Sequence, residues 1–161
     1  MGKWKGVDVA VGLFGRYDPP GTITRVSALR RSAPFAAKML PRDNVVVAEG
    51  APALEAIHTI YEIGFAPDDA FKIVIDEKTA SLLAALENCE VEVHGTQVNI
   101  QHRGILYDET RLVPLLDATI GLVSRLAEVQ GQIAGTNEED SARRASEVRK
   151  FTNPRLKRLT A

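Results

Sequence analysis

The chain is poor in cysteine, the residue whose disulfide bonds stabilise many small extracellular domains. Cys89 is its single cysteine among 161 residues, so no internal disulfide can form. No stretch approaches the run of about eighteen apolar residues that a membrane-spanning helix needs. The opening sequence MGKWKGVDVAVGLFG lacks the apolar core and cleavage pattern of a signal peptide. These absences predict a cytoplasmic protein without an inserted membrane segment.

The glycine-rich motifs that cradle phosphate groups are also missing. Neither the dinucleotide-binding pattern GxGxxG nor the P-loop pattern GxxxxGK[ST] occurs, and there is no GxSxG nucleophile elbow. The sequence therefore predicts no cofactor, and it favours a non-enzymatic protein over an enzyme.

Charge is divided unevenly along the chain, although the formal net charge is only -1. Residues 1–42 carry eight Lys or Arg against two acids, residues 43–140 carry five against eighteen, and residues 141–161 carry seven against one. Such a separation of charge affects how the protein interacts with other molecules, and it does not determine the fold. The predicted partner-binding residues are those of the basic tail: Arg143, Arg144, Arg149, Lys150, Phe151, Arg155, Lys157 and Arg158.

Two kinds of partner suit a basic tail. Lysine and arginine can neutralise nucleic-acid phosphates and release their counterions. However, Phe151 is the only aromatic residue there for stacking on bases, and the tail follows a strongly acidic segment. We therefore expect the tail to bind an acidic protein surface, on its own chain, on another copy in a homo-oligomer or on a different protein. Nucleic-acid binding is the alternative.

Alternating apolar residues predict several strands. Residues 7–13 and 22–29 form a predicted hairpin around a proline-containing loop at 15–21. The valine-rich segment at 44–50 is predicted as a third strand, and FKIVID at 71–76 as a fourth.

Helical spacing predicts the remaining elements. A short helix opens with Pro52, a second is capped by Asp76, and a long one starts near Asp108, with Pro114 obscuring its first turn. The segment GQIAGTN is expected to end this long helix before a helical tail. Together the patterns predict an α+β fold, with a mainly antiparallel sheet, helices packed on one face, a single domain over residues 1–130 and a basic helical tail over 131–161.

The segment CEVEVHGTQVNIQHRG at 89–104 gathers the cysteine and two of the three histidines. A two-residue turn at Gly95-Thr96 predicts a hairpin in which Val91, Val93, Val98 and Ile100 share one face. His94 then lies on the polar face by the turn, whereas Cys89 opposes His102 at the far end. The three side chains cannot converge on one ion, so we expect no metal site. Cys89 with His102 remains the candidate catalytic pair of an alternative, a small thiol-dependent enzyme or hydrolase.

Several segments resemble an uncharacterised family of bacterial domains that often lie on the soluble side of membrane-anchored proteins. The matching features between residue 4 and about residue 130 are WKG before a strand, LPRDNVVV, DDAFKIVID, a hairpin ending in HRG, and YDETRLVPLLDATIGLVSRL. The resemblance implies a fold and a membrane-associated complex as its setting. It brings no reaction and no catalytic residue. Taken together, we expect a protein-interaction module that assembles with protein partners.

Overall fold

The computed structural model describes residues 1–17, 20–30 and 36–133. Its elements, in chain order, are β1 (Gly2–Trp4), β2 (Val7–Tyr17), β3 (Pro20–Leu29), β4 (Ala36–Pro41), α1 (Ala53–Ile60), β5 (Tyr61–Ala66), α2 (Ala70–Val74), α3 (Glu77–Ala84), β6 (Cys89–His94), β7 (Gln97–Arg103) and α4 (Glu109–Ile133).

The strands form one seven-stranded sheet in the order β1-β2-β3-β7-β6-β4-β5. Every pair of neighbours is antiparallel. Because one face of each strand is apolar, the sheet needs a cover, and helices provide it on that face. The α+β prediction is confirmed.

The core lies between this apolar face and the helices. Val93, Val98 and Ile100 of the β6–β7 hairpin are at most 1% exposed and share one hydrophobic cluster with Leu122 and Leu126 of α4. Within the sheet, the helix α4 packs over β3 and β7, and it also contacts α2 and α3. The predicted hairpin register is therefore confirmed, including Cys89 opposite His102.

The first hairpin is also confirmed, but its strands are longer than expected. β2 continues to Tyr17 and β3 begins at Pro20, with Tyr17 paired to Pro20. Most of the predicted loop at 15–21 is thus strand, since Pro20 lies at the first position of β3, where a missing amide is tolerated.

The strand predicted at 44–50 is wrong. This segment has no regular structure, and Val46 is 88% exposed. The actual strand is the preceding β4, which lies between β6 and β5. Asn44 adopts a left-handed backbone conformation, with φ of 55°, which interrupts any extended run.

The strand predicted at 71–76 is also wrong, because Ala70–Val74 forms the short helix α2. The apolar residues of FKIVID fit the 3.6-residue period of a helix as well as the two-residue period of a strand. The strand in this region is β5, and Pro67 follows its end directly. Over such short apolar runs the two periods cannot be told apart, and packing against the sheet decides.

The other helices agree with the sequence. The helix α1 follows Pro52, and the Asp76 side chain caps α3 by accepting from the amide of Thr79 at 2.8 Å. The helix α4 contains Pro114, and its described part extends to Ile133, inside the GQIAGTN segment that is expected to end it. Asn88, between α3 and β6, has φ of 53°, a left-handed backbone conformation that asparagine tolerates at helix ends.

Candidate functional site

Cys89 and His102 lie opposite each other at the end of the β6–β7 hairpin, as the sequence predicts. The thiol is completely buried, and its Sγ donates to the backbone carbonyl of Glu87 at 3.2 Å. The imidazole of His102 is half-buried. Within the described part of the chain, its Nδ1 atom is buried and has no hydrogen-bond partner. The thiol is thus satisfied by the main chain rather than by the histidine.

The surroundings of this pair oppose nucleophilic chemistry. Burial, with a smaller contribution from Glu87, raises the pKa of the Cys89 thiol to about 12. Burial and, to a smaller extent, the charge of Arg111 lower the pKa of His102, while a contact with Gly104 and the charge of Glu87 act in the opposite direction. A reactive cysteine needs a lowered pKa and access to solvent. The geometry therefore does not support the thiol-dependent alternative.

His94 and His102 lie far apart along the hairpin, one beside the turn and one at its open end. Across residues 1–17, 20–30 and 36–133, no group of three or more His, Cys, Asp or Glu side chains is placed to hold a metal ion. That the two histidines do not share a ligand stays a prediction.

A small cavity lies beside His102, between the open end of the hairpin and the first turns of α4. Its volume is about 240 Å³, and its polar lining comes from Glu87, His102, Thr110 and Arg111. The Asp108 side chain accepts a hydrogen bond from the amide of Thr110 at 2.9 Å. The N-terminal end of α4, which borders this cavity, is therefore capped by a residue of the chain itself.

The sheet face away from the helices carries a row of paired polar groups. Lys38 and Glu90 form an ion pair at 2.9 Å, with side chains 17% and 12% exposed. Arg25 donates to Gln101 at 3.0 Å, and its guanidinium lies 4.3 Å from the centre of the Phe14 ring. These contacts join β4 to β6, β3 to β7 and β3 to β2 on the polar face.

The β5 end of the sheet is acidic. Asp43, Glu62, Asp68 and Asp69 are all exposed, and we call these four residues the acidic edge. Glu62 lies on β5 itself, while Asp68 and Asp69 follow the strand and Asp43 follows its neighbour β4. The acidic central segment seen in the sequence thus places exposed carboxylates along one edge of the sheet.

The β2 end of the sheet has a different character. Val11, Leu13 and Phe14 of β2 are 47%, 58% and 43% exposed. The alternating pattern of residues 7–13 predicts a strand with one buried face and does not predict this exposure. The uncharged stretch AVGLFG at 10–15 was the available signal, but the position of β2 near the sheet edge could not be read from it.

The predicted partner-binding residues lie outside the described residues. They are Arg143, Arg144, Arg149, Lys150, Phe151, Arg155, Lys157 and Arg158. Their role stays a prediction.

None of the helices that the described ranges contain combines the length and the apolar character needed to cross a bilayer.

Comparison with known proteins gives one structural likeness. No sequence model of a known protein family and no curated protein sequence matches the chain. The fold is similar to the crystal structure of the mycobacterial trehalose monomycolate transport factor A, TtfA, with a TM-score of 0.51 and 13% sequence identity. The match covers 78% of this chain and 68% of that one. At this identity the likeness shows a shared α+β fold.

Proposed function

We propose that the chain is a non-enzymatic module that assembles with protein partners, and that its basic tail binds an acidic protein surface. The observation that carries the proposal is the acidic edge, whose four carboxylates are exposed in a chain that ends with seven Lys or Arg against one acid. Opposite charges on separate surfaces steer association and select partners.

The alternative functions have less support. The buried thiol of Cys89, with a pKa of about 12, is a poor nucleophile. The nucleic-acid alternative depends on a tail with a single aromatic residue, Phe151, whereas single-strand binding commonly uses stacking on several. An accessory role is also in keeping with the structural neighbour, which is described as a transport factor.

The setting of the module is a separate part of the proposal. The bacterial domain family that the sequence resembles would place it in a complex at a membrane, and we propose the cytoplasm as its compartment.

A labelled peptide of residues 141–161 tests the proposal directly. The receptor is the full chain with Arg143→Glu and Arg144→Glu, so that its own tail competes less for the acidic surface. We expect the peptide to bind this receptor, and added salt to weaken the binding, because exposed charges beyond about 8 Å are screened at physiological ionic strength. Fluorescence anisotropy measures both.

The test variant is a receptor that also carries Asp68→Lys and Asp69→Lys, two exposed positions of the acidic edge, and the matched control is a receptor that carries Asp8→Lys instead. The test variant should lose most of the affinity for the peptide, while Asp8→Lys, at the opposite end of the sheet, should keep it. If the peptide instead binds a short oligonucleotide tightly at about 150 mM salt and does not bind the receptor, nucleic-acid binding replaces this proposal.

A further inference from the structure

The outer edge of β2 is largely open. β1 pairs with β2 only from Val7 to Val9, whereas β3 pairs with β2 as far as Tyr17. Among the residues that the structure describes, no strand pairs with the other side of β2 from Ala10 onward. This stretch therefore presents a row of backbone amide and carbonyl groups to a further strand.

The side chains of this open edge are unusual for an unpaired strand. The stretch from Ala10 to Gly15 contains no charge. Val11 and Leu13 point to the helix face, as their register partners Val26 and Thr24 show, yet they are 47% and 58% exposed. The helix α4 covers β3 and β7, so the helical layer ends before it reaches them.

The opposite edge of the sheet is protected. β5 has an exposed glutamate, Glu62, and Asp68 and Asp69 follow it, while its apolar residues Tyr61 and Phe65 are buried. Charges on an edge strand discourage pairing with another chain. Of the two edges of the sheet in the described part of the chain, the β2 edge alone combines open backbone groups with exposed apolar side chains.

We propose that the β2 edge binds the β2 edge of a second copy of this chain, in an antiparallel pair that joins the two sheets. Every strand pair within the sheet is antiparallel, and a two-fold axis through the edge continues this alternation. An isologous pair of this kind closes on itself as a dimer, whereas joining β2 to a β5 edge would build a larger ring or an open fibre.

The sequence of β2 is self-complementary in one register. With Leu13 opposite the second copy's Leu13, Val11 lies opposite Gly15 on the helix face, and Gly12 lies opposite Phe14 on the polar face. The ring of Phe14 already lies over its own Gly12, 2.9 Å from where a β-carbon would be, so this face has room only for a small residue there. Pairing ends at Ala10, because Val9 is already bonded to Gly2.

This interface is separate from the acidic edge and the tail, and it does not depend on the proposed function. Sedimentation of the full chain at rising concentration should show a dimer. Leu13→Lys should weaken it at least about tenfold, because two like charges would face each other at the two-fold axis. Leu13 is largely exposed, so the variant is expected to fold, and circular dichroism checks this.

Leu29→Lys is the matched control. Leu29 is 59% exposed, almost the same as Leu13 at 58%, but it lies on β3, inside the sheet. This variant should keep the wild-type dimer. A wild-type chain that stays monomeric, or a dimer that persists unchanged in Leu13→Lys, would overturn the proposal, as would an edge that binds an extended peptide but not a second copy.

Cross-linking tests the register. Directly opposed residues on antiparallel strands have Cα atoms about 4.5–5.5 Å apart, within disulfide range. Leu13→Cys should therefore form a disulfide-linked dimer on mild oxidation, whereas Val11→Cys should not, since its opposite residue is Gly15. Cys89 is completely buried and should not contribute. Equal cross-linking of the two variants would refute the register.

Discussion

At the residue scale, Cys89 shows how strongly surroundings control a side chain that the sequence makes conspicuous. Its position opposite His102 follows from the hairpin register, and a cysteine facing a histidine is a natural candidate for catalysis. Burial of the thiol removes the reactivity that catalysis would need. A thiol with a pKa of about 12 is protonated throughout the physiological range, so its role is that of a small core residue.

We expect Cys89 to react slowly with a thiol reagent in the native protein. At about pH 8, a rise of the thiol pKa from 9.0 to about 12 lowers the thiolate fraction by roughly a thousandfold, and burial restricts access further. Absorbance with a disulfide reagent, before and after adding denaturant, measures the difference. His102→Ala should leave the native rate slow. A native rate faster than that of a free thiol would revive the enzyme alternative.

The same burial makes stability sensitive to alkali. The unfolded thiol loses its proton near its ordinary pKa of 9.0, while the folded thiol keeps it to about 12. The free energy of unfolding should therefore fall as pH rises above 9, by up to about 1.4 kcal/mol per pH unit. Urea denaturation between about pH 8 and pH 10 measures the slope, which should be shallower in Cys89→Ala. An identical slope in that variant would contradict the raised pKa.

The two faces of the β6–β7 hairpin give a matched pair of variants. Val98 is fully buried, whereas the adjacent Gln97 is exposed. Val98→Asp should cost several kcal/mol, because it buries an unpaired carboxylate. Gln97→Asp introduces the same group on the exposed side and should change the free energy of unfolding by less than about 0.5 kcal/mol. Equal losses in thermal or urea denaturation would refute the assignment of faces.

At the scale of elements, α3 depends on the side chain of Asp76. Its carboxylate accepts from the Thr79 amide at 2.8 Å and lies 3.4 Å from the Arg125 guanidinium of α4. Burial acts to raise the pKa of Asp76, but the Thr79 hydrogen bonds and the charge of Arg125 outweigh it and hold the pKa below its ordinary value. Arg125 also donates to the carbonyl of Ile73 at 2.8 Å, so these two residues join α2, α3 and α4.

Replacing the cap should destabilise the protein by a predictable amount. Asp76→Ala removes the hydrogen bond and should lower the free energy of unfolding by about 1 kcal/mol, whereas Asp76→Asn keeps an acceptor and should cost less. Because the folded pKa is depressed, the contribution of the charge is present at neutral pH and disappears as the carboxyl is protonated below about pH 4. Urea denaturation at pH 7 and near pH 3 tests both statements, and a larger loss in Asp76→Asn than in Asp76→Ala would contradict them.

At the scale of the whole molecule, the sheet has two unlike ends. β5 and its flanking loops carry the acidic edge, while β1 and β2 present an open edge with exposed apolar residues. Trp4 joins this second end to the helices, since its Nε1 donates to Asp117 of α4 at 2.7 Å, and Lys5 pairs with the same carboxylate at 2.8 Å. The hydrogen bonds from Lys5 and from Trp4, with the charge of Lys5, lower the pKa of Asp117.

We expect the domain to unfold as one cooperative unit. Trp4, the single tryptophan of the chain, packs against the one large core cluster. Its fluorescence should therefore report the same urea transition as far-UV circular dichroism, with coincident midpoints. A fluorescence transition at lower urea would mean that β1 detaches first and leaves the whole β2 edge open.

The sequence by itself determined those elements whose signals are local. The alternation of apolar and polar residues, with the turn at Gly95, defines the β6–β7 hairpin and its register. Asp76 and Pro52 mark the starts of two helices. These signals are local because turns and helix caps involve residues that are close in the chain. Only the tertiary structure decided the rest. It made Ala70–Val74 a helix and left the valines near 46 exposed, since short apolar runs fit either period until a core selects one. It also placed β2 beside a strand too short to cover it, because which strands form the edges of a sheet depends on contacts between residues far apart in sequence.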